Sequence, residues 1–151
     1  MTPGSAVDPD PAGAGGGDES EHLAHRVVMA AFVGPTVPEW LRRRLAAGLG
    51  SVCLFGSNLP TGRDADVRSL TDAIHAAGPQ CLVAVDEEGG DVTRLDQWTG
   101  SDLPGNAALG AAGDPALTQA VAAALGRRLA AAGIDLIWLR TPISTPLRTT
   151  R

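Results

Sequence analysis

The sequence contains no lysine, and its 12 cationic side chains other than histidine are all arginine. A phosphate cradle built around a lysine is thereby excluded, and neither G-x-G-x-x-G nor G-x-x-x-x-G-K-[ST] follows the first apolar run. G-x-S-x-G is missing too, which removes the nucleophile elbow of α/β-hydrolases. Positive charge is sparse: the formal net charge is −5 and the one basic run is Arg42, Arg43 and Arg44, which reads as a solvated helix face. The broad positive field of a nucleic-acid binder is absent, so no nucleic-acid partner is expected. No apolar run approaches the roughly 20 residues that span a bilayer, and the N-terminus lacks the pattern of a secretory signal. A cytoplasmic location without a membrane partner is the expectation.

Cysteine is also scarce. Cys53 and Cys81 each lie inside an apolar run, SVCLF and QCLVAV, where a buried free thiol is favoured over a disulfide or a metal ligand. His22, His25 and His75 are scattered without ligand spacing and read as surface residues. No cofactor and no metal site is expected. Residues 1–22 are dominated by Gly, Pro, Ala, Ser and acids, too poor in large apolar side chains to offset the entropy of ordering, and read as a disordered head. The remaining chain suffices for one core. A complete eight-fold α/β barrel needs about 250 residues, more than the 151 present.

What is present alternates between strands and helices. Arg26–Val33 (RVVMAAFV) reads as a strand buried on both faces, stopped by Gly34-Pro35. Pro38–Gly48 reads as a helix with Trp40, Leu41 and Leu45 on one side, and Ser51–Phe55 as a second strand. Val67, Leu70, Ile74 and Ala77 recur at helical spacing over Asp64–Ala77, and Cys81–Val85 is a third strand. An irregular stretch follows to about Gly113. Asp114-Pro115 then opens a helix running through Ala132, and Ile134–Trp138 makes a fourth strand. Apolar strands separated by amphipathic helices mean a parallel sheet with helical crossovers.

Chemistry concentrates in VAVDEEGGDVTRL, Val83 to Leu95. Ligands of parallel α/β sheets lie beyond the carboxyl ends of the strands, and Asp86 is the first polar residue after an apolar strand. Glu87, Glu88 and Asp91 add three acids, Gly89-Gly90 allows a close turn, and Arg94 follows within reach of a loop folding back. These residue types fit a sugar site, a Mg²⁺ or Ca²⁺ site on Asp86, Glu87, Glu88 and Asp91, or a structural turn satisfied within itself.

The order strand, helix, LFGSN, helix, AVDEEGG-x-V-x-R-L, LPGNAALG-x-x-GD, then a long helix ending G-R-x-L-A-A-x-G-I-D-L resembles the N-terminal domain of glycoside hydrolase family 3. Its bacterial β-N-acetylhexosaminidase branch is the most similar, over roughly Val27 to Leu136. The resemblance implies an α/β fold forming the first half of a (β/α)8 TIM-type barrel with parallel strands, spanning residues 23–136. It implies hydrolysis of O-glycosyl bonds releasing terminal β-linked N-acetylglucosamine-type sugars, with no cofactor. It assigns substrate binding to Asp86 and Arg94 and loop shaping to Glu88, Gly89 and Gly90. Position 91 is Asp where Arg is commonest in the family. Catalytic residues are expected to be none: the family's later nucleophilic aspartate and its K-H-[FI]-P-G-x-G segment do not occur here. Retaining hydrolysis needs two groups flanking the anomeric carbon, so the expectation is an inactive fragment that meets carbohydrate only as a binder. The rival is a small α/β binding module with an acidic metal or sugar site and no catalysis.

Residues 137–151 depart from the family's D-L-A-P-x-A-D-x-N continuation. Back-translated with GC-rich codons, which suit a composition rich in Ala, Gly, Pro and Arg, and read one nucleotide earlier, Trp138 and Leu139 yield Leu-Ala-Pro and the following residues an Asp-Ala-Asp segment. A frameshifted tail on a truncated barrel is therefore expected, with an unpaired sheet edge prone to self-association. The genomic sequence near codon 137 tests this: one inserted base should restore the motif, and a frame that no insertion repairs refutes it.

Overall fold

A computed structural model describes residues 16–138, with side chains from residue 19 onward. Helix α1 (Gly16–Val27) leads into strand β1 (Met29–Ala30), followed by α2 (Glu39–Ala46), β2 (Ser51–Leu54), α3 (Asp64–Ala77), β3 (Leu82–Asp86), α4 (Asn106–Ala112), α5 (Pro115–Ala131) and β4 (Leu136–Trp138). The strands lie in the order β1-β2-β3-β4 with every neighbouring pair parallel. This is the strand order of the first half of a (β/α)8 barrel.

Two expectations near the N-terminus need correction. The run Arg26–Val33 is not one long strand: α1 takes Arg26 and Val27, and β1 keeps only Met29 and Ala30. His25 and Arg26 in the last turn of α1 suit the negative end of its dipole, and among the described residues β1 has a partner strand on one side only, so little holds a longer strand. Residues 16–22, assigned to the disordered head, are helical, with Glu19 and Glu21 in the N-terminal part of α1 where acids are favoured. Residues 1–15 and 139–151 lie outside the described residues, and with them most of the expected frameshifted tail, whose Ile137 and Trp138 sit in β4.

Alternation along each strand sorts its side chains. Val52 and Leu54 of β2 and Val83 and Val85 of β3 face the helices and are fully buried against Leu41 and Leu45 of α2, Ile74 of α3, and Leu125 and Leu129 of α5. The helix α3 begins and ends where its periodicity predicts, and Val67, Leu70, Thr71 and Ile74 are its buried positions. Trp40, expected beside Leu41 and Leu45, is instead 45% exposed, one step round the helix from the buried stripe. Asp114 caps α5 by accepting hydrogen bonds from the amides of Ala116 and Leu117, which explains the Asp-Pro start.

The other sheet face carries Ser51 and Cys53 of β2, Leu82, Ala84 and Asp86 of β3, and Leu136 and Trp138 of β4, by register. Leu82 is 50% and Trp138 51% exposed, because the helices cover only the opposite face. Both thiols are free and buried. His75 is not a bare surface residue: its Nε2 lies 2.9 Å from Asp135, whose carboxylate also accepts from the amide of Val83 at 2.8 Å.

Burial, reinforced by the charge of Asp135, pushes the Cys81 thiol from its ordinary 9.0 up to about 11. Burial raises Cys53 as well, with Asp86 adding to the effect and Arg94 opposing it. A thiol whose folded value is raised contributes stability below its unfolded value and loses it as pH climbs through the folded one. With no lysine and no tyrosine to titrate there, the urea midpoint should fall between about pH 9 and pH 11, and Cys81→Ala should flatten that fall. A wild-type midpoint that stays level across the window contradicts this.

Candidate functional site

Asp86 is the last residue of β3 and points to the open face, in register with Trp138 of β4. The chain then turns on itself: the amide of Glu88 donates to the carbonyl of Val92 at 2.8 Å, and Gly89 and Val92 form an antiparallel bridge. The turn brings Arg94 back so that its Nη2 stands 3.5 Å from Asp86 Oδ2, with the two side chains 30% and 36% exposed. A pair this open contributes about 0–1 kcal/mol and does not hold the loop.

What holds the loop is Glu87. Alternation along β3 carries it to the helix-facing side, where it is 1% exposed, and its Oε2 accepts from the amides of Arg94 at 2.8 Å and Leu95 at 3.0 Å. Two hydrogen bonds to a buried carboxylate contribute on the order of 1.5–3 kcal/mol each, several times the exposed ion pair. Leu95 beside them is itself buried in the core. The backbone of Arg94 is therefore anchored while its guanidinium keeps access to solvent.

The sequence expectation assigned loop shaping to Glu88, Gly89 and Gly90 and passed over Glu87. Glu88 Oε2 accepts from Asn106 Nδ2 at 3.0 Å, linking the turn to the start of α4. That helix itself lies inside the stretch expected to be irregular. Gly90 has φ +57°, its amide donates to the carbonyl of Leu103 at 2.9 Å, and a Cβ there would lie 2.9 Å from the backbone of Gly105. Only glycine fits that left-handed, crowded position.

Three further residues brace the loops around this turn. Asn58, buried in the LFGSN segment, donates to the carbonyls of Phe32 and Gly34 at 3.0 and 2.8 Å and accepts from the amide of Phe55. Gln97 Nε2 donates to the carbonyls of Gly56 and Leu59. Arg128 of α5 grips Asp96 at 2.6 and 2.8 Å and Asp64 at 3.0 Å, and these acceptors raise its already high pKa. The loop after β3 is thus fastened to α3 and α5.

The four acids proposed for a divalent cation are not brought together. Glu87 faces two backbone amides, Glu88 faces Asn106, and Asp91 is exposed. Among the described residues no group of three or more His, Cys, Asp or Glu side chains is placed to hold a metal ion.

Glu87→Ala leaves two inward-facing amides without an acceptor and should cost about 3 kcal/mol by urea unfolding, while Asp86→Asn should change stability by less than about 1 kcal/mol. Equal effects of the two substitutions contradict the division of labour between them.

The family model for the glycosyl hydrolase family 3 N terminal domain matches residues 33–143. The chain is 33% identical over 98 residues to beta-hexosaminidase A of Pseudoalteromonas piscicida, covering 58% of this chain and 16% of that protein. It is 39% identical over 93 residues to a beta-hexosaminidase of Alkalilimnicola ehrlichii, covering 58% and 26%. NagZ of Neisseria gonorrhoeae, solved in complex with N-trifluoroacetyl-D-glucosamine, superposes with a TM-score of 0.59 at 30% identity, over 75% of this chain and 34% of NagZ. A fungal multi-domain family 3 beta-N-acetylglucosaminidase superposes with a TM-score of 0.71 at 28% identity, over 80% and 15%. The chain spans about a quarter or less of the length of these curated relatives. With the parallel sheet, the D-x-E-G-G-x-V-x-R turn at the end of β3 and a family match over most of its length, the chain belongs to the glycosyl hydrolase family 3 N-terminal domain family.

Proposed function

We propose that this chain forms the sugar-recognising edge of a family 3 glycosidase and, by itself, binds a terminal β-linked N-acetylglucosamine-type sugar without hydrolysing it. The observation that carries the reading is the Asp86–Arg94 pair, 3.5 Å apart at the carboxyl end of a central parallel strand, both side chains part-exposed above a buried anchor. A carboxylate offers acceptors to vicinal sugar hydroxyls and a guanidinium offers donors to their oxygens, so adjacent groups of opposite type suit a polyol. Their weak mutual attraction means that a sugar displaces little when it binds between them. The hexosaminidase relatives and the glucosamine derivative bound to NagZ support the sugar class.

Retaining hydrolysis asks for one group attacking the anomeric carbon and a second protonating the leaving oxygen. Asp86 offers one carboxylate beside a guanidinium. Glu87 is committed to two amides and Glu88 to the Asn106 side chain, which leaves neither as a partner across the sugar.

Calorimetric titration with N-acetylglucosamine tests this. Asp86→Asn and Arg94→Ala should each weaken binding about tenfold or more, as loss of a charge-assisted hydrogen bond does, and Asp91→Asn should leave it unchanged. Chromogenic N-acetyl-β-glucosaminide should be cleaved no faster than in buffer. Binding indifferent to both Asp86 and Arg94, or turnover abolished by Asp86→Asn, contradicts the reading.

A further inference from the structure

The Asp86–Arg94 pair answers only the hydroxyls of a sugar. A β-linked hexopyranose of the N-acetylglucosamine type holds its substituents equatorially, which leaves axial C–H bonds on both ring faces and makes those faces apolar. A site for such a ring needs an apolar or aromatic wall beside its few polar groups.

An aromatic side chain stands where that wall belongs. Phe55 directly follows Leu54, the fully buried last residue of β2, and alternation turns its ring to the side shared by Cys53. Leu54 is in register with Val85, so one step further places Phe55 beside Asp86, its backbone about 4.8 Å away across the ladder. The Cys53 thiol, two residues back on the same side of β2, feels the charges of both Asp86 and Arg94, so the pair lies within electrostatic reach of the end of β2. The Phe55 ring is 43% exposed.

The backbone beneath the ring is braced. Its amide donates to Asn58 Oδ1 at 2.8 Å and its carbonyl accepts from the Asn58 amide at 2.9 Å. Asn58 is buried and held in turn by the carbonyls of Phe32 and Gly34. Gln97, from the loop that presents Arg94, donates to the carbonyl of Gly56 at 2.9 Å. A Cβ on Gly56 would collide with the Gln97 side chain, so the two loops meet closely at this point. An aromatic ring on a fixed backbone gives up little freedom when a ligand covers it. Trp138 stands on the other side of Asp86, in register on β4. Phe55 differs from it in these braces and in its link through Gln97 to the loop of Arg94.

We propose that Phe55 is the stacking platform of the sugar site, covering the apolar face of a gluco-configured pyranose whose hydroxyls are held by Asp86 and Arg94. This rests on the reading of that pair as a sugar site. It makes Phe55 a determinant of affinity through ring contact, with no part in proton transfer.

Titration of the full chain with methyl N-acetyl-β-glucosaminide, read by calorimetry and by proton nuclear magnetic resonance of the sugar, tests it. Bound to the wild type, the axial ring protons of one sugar face should shift upfield in the ring current. Phe55→Leu keeps the apolar volume and should weaken binding about tenfold and abolish that shift, with the urea midpoint and the far-ultraviolet circular dichroism unchanged. Phe55→Trp should restore both affinity and shift. Trp40→Leu, which removes an exposed aromatic from α2, should alter neither. If Asp86→Asn weakens binding while Phe55→Leu leaves affinity and shift intact, the platform is overturned and the sugar site stands. A loss on Trp138→Leu with none on Phe55→Leu overturns it equally. Absence of binding to the wild type, or binding indifferent to both Asp86→Asn and Arg94→Ala, overturns the sugar site and the platform with it.

Discussion

Parallel strands oblige each connection to cross back over the sheet, and in this chain the connections lay their helices on one face. That constraint divides every strand. Val52, Leu54, Val83 and Val85 are driven under α2, α3 and α5, where they lose nearly all contact with water. The alternate residues, from Cys53 to Asp86 and Trp138, face the space that a barrel would enclose. The position of the site follows from the same rule, since the carboxyl ends of β2, β3 and β4 share one rim and Asp86 stands on the middle strand of the three.

The chemistry of the rim depends on a second division, between adjacent acids. Asp86 and Glu87 are neighbours in sequence yet opposite in parity, so one carboxylate reaches the open mouth and the other is buried among backbone amides. The buried one builds the turn that returns Arg94, and the exposed one meets the arginine so returned. Arg128, Asp96 and Gln97 extend the scaffold outward to α5 and to the loop after β2. The exposed pair contributes little to stability, which keeps it available to a ligand, and the buried contacts supply the rigidity.

Much of this was legible in the residues. The spacing of Val67, Leu70 and Ile74 marked α3 to the residue, Asp114-Pro115 marked the start of α5, and the shift from CLVAV to an acid put Asp86 just past the third strand, which in the structure runs one residue further and ends on it. The extent of β1 was not legible, because an apolar run does not reveal whether both of its sides have partners; Val27 and Val33 are 85% and 87% exposed. Glu87 was missed for a different reason. Acidic residues in a turn read as solvent-facing, whereas continuing the alternation of Val83 and Val85 by one step places Glu87 on the buried side. Asn58 left a trace in the LFGSN segment, but its two carbonyl partners, Phe32 and Gly34, lie more than twenty residues away and emerge only with the fold.

The central claim is that the acidic turn is built into the fold and presents Asp86 and Arg94 together before any sugar arrives. Amide hydrogen exchange followed by nuclear magnetic resonance on the unliganded chain measures this most directly, because the Arg94 and Leu95 amides are those bonded to Glu87. Both should exchange as slowly as the amides of Val83 to Val85 in β3. Exchange at the rate of an open loop, with the β3 amides still protected, would contradict it.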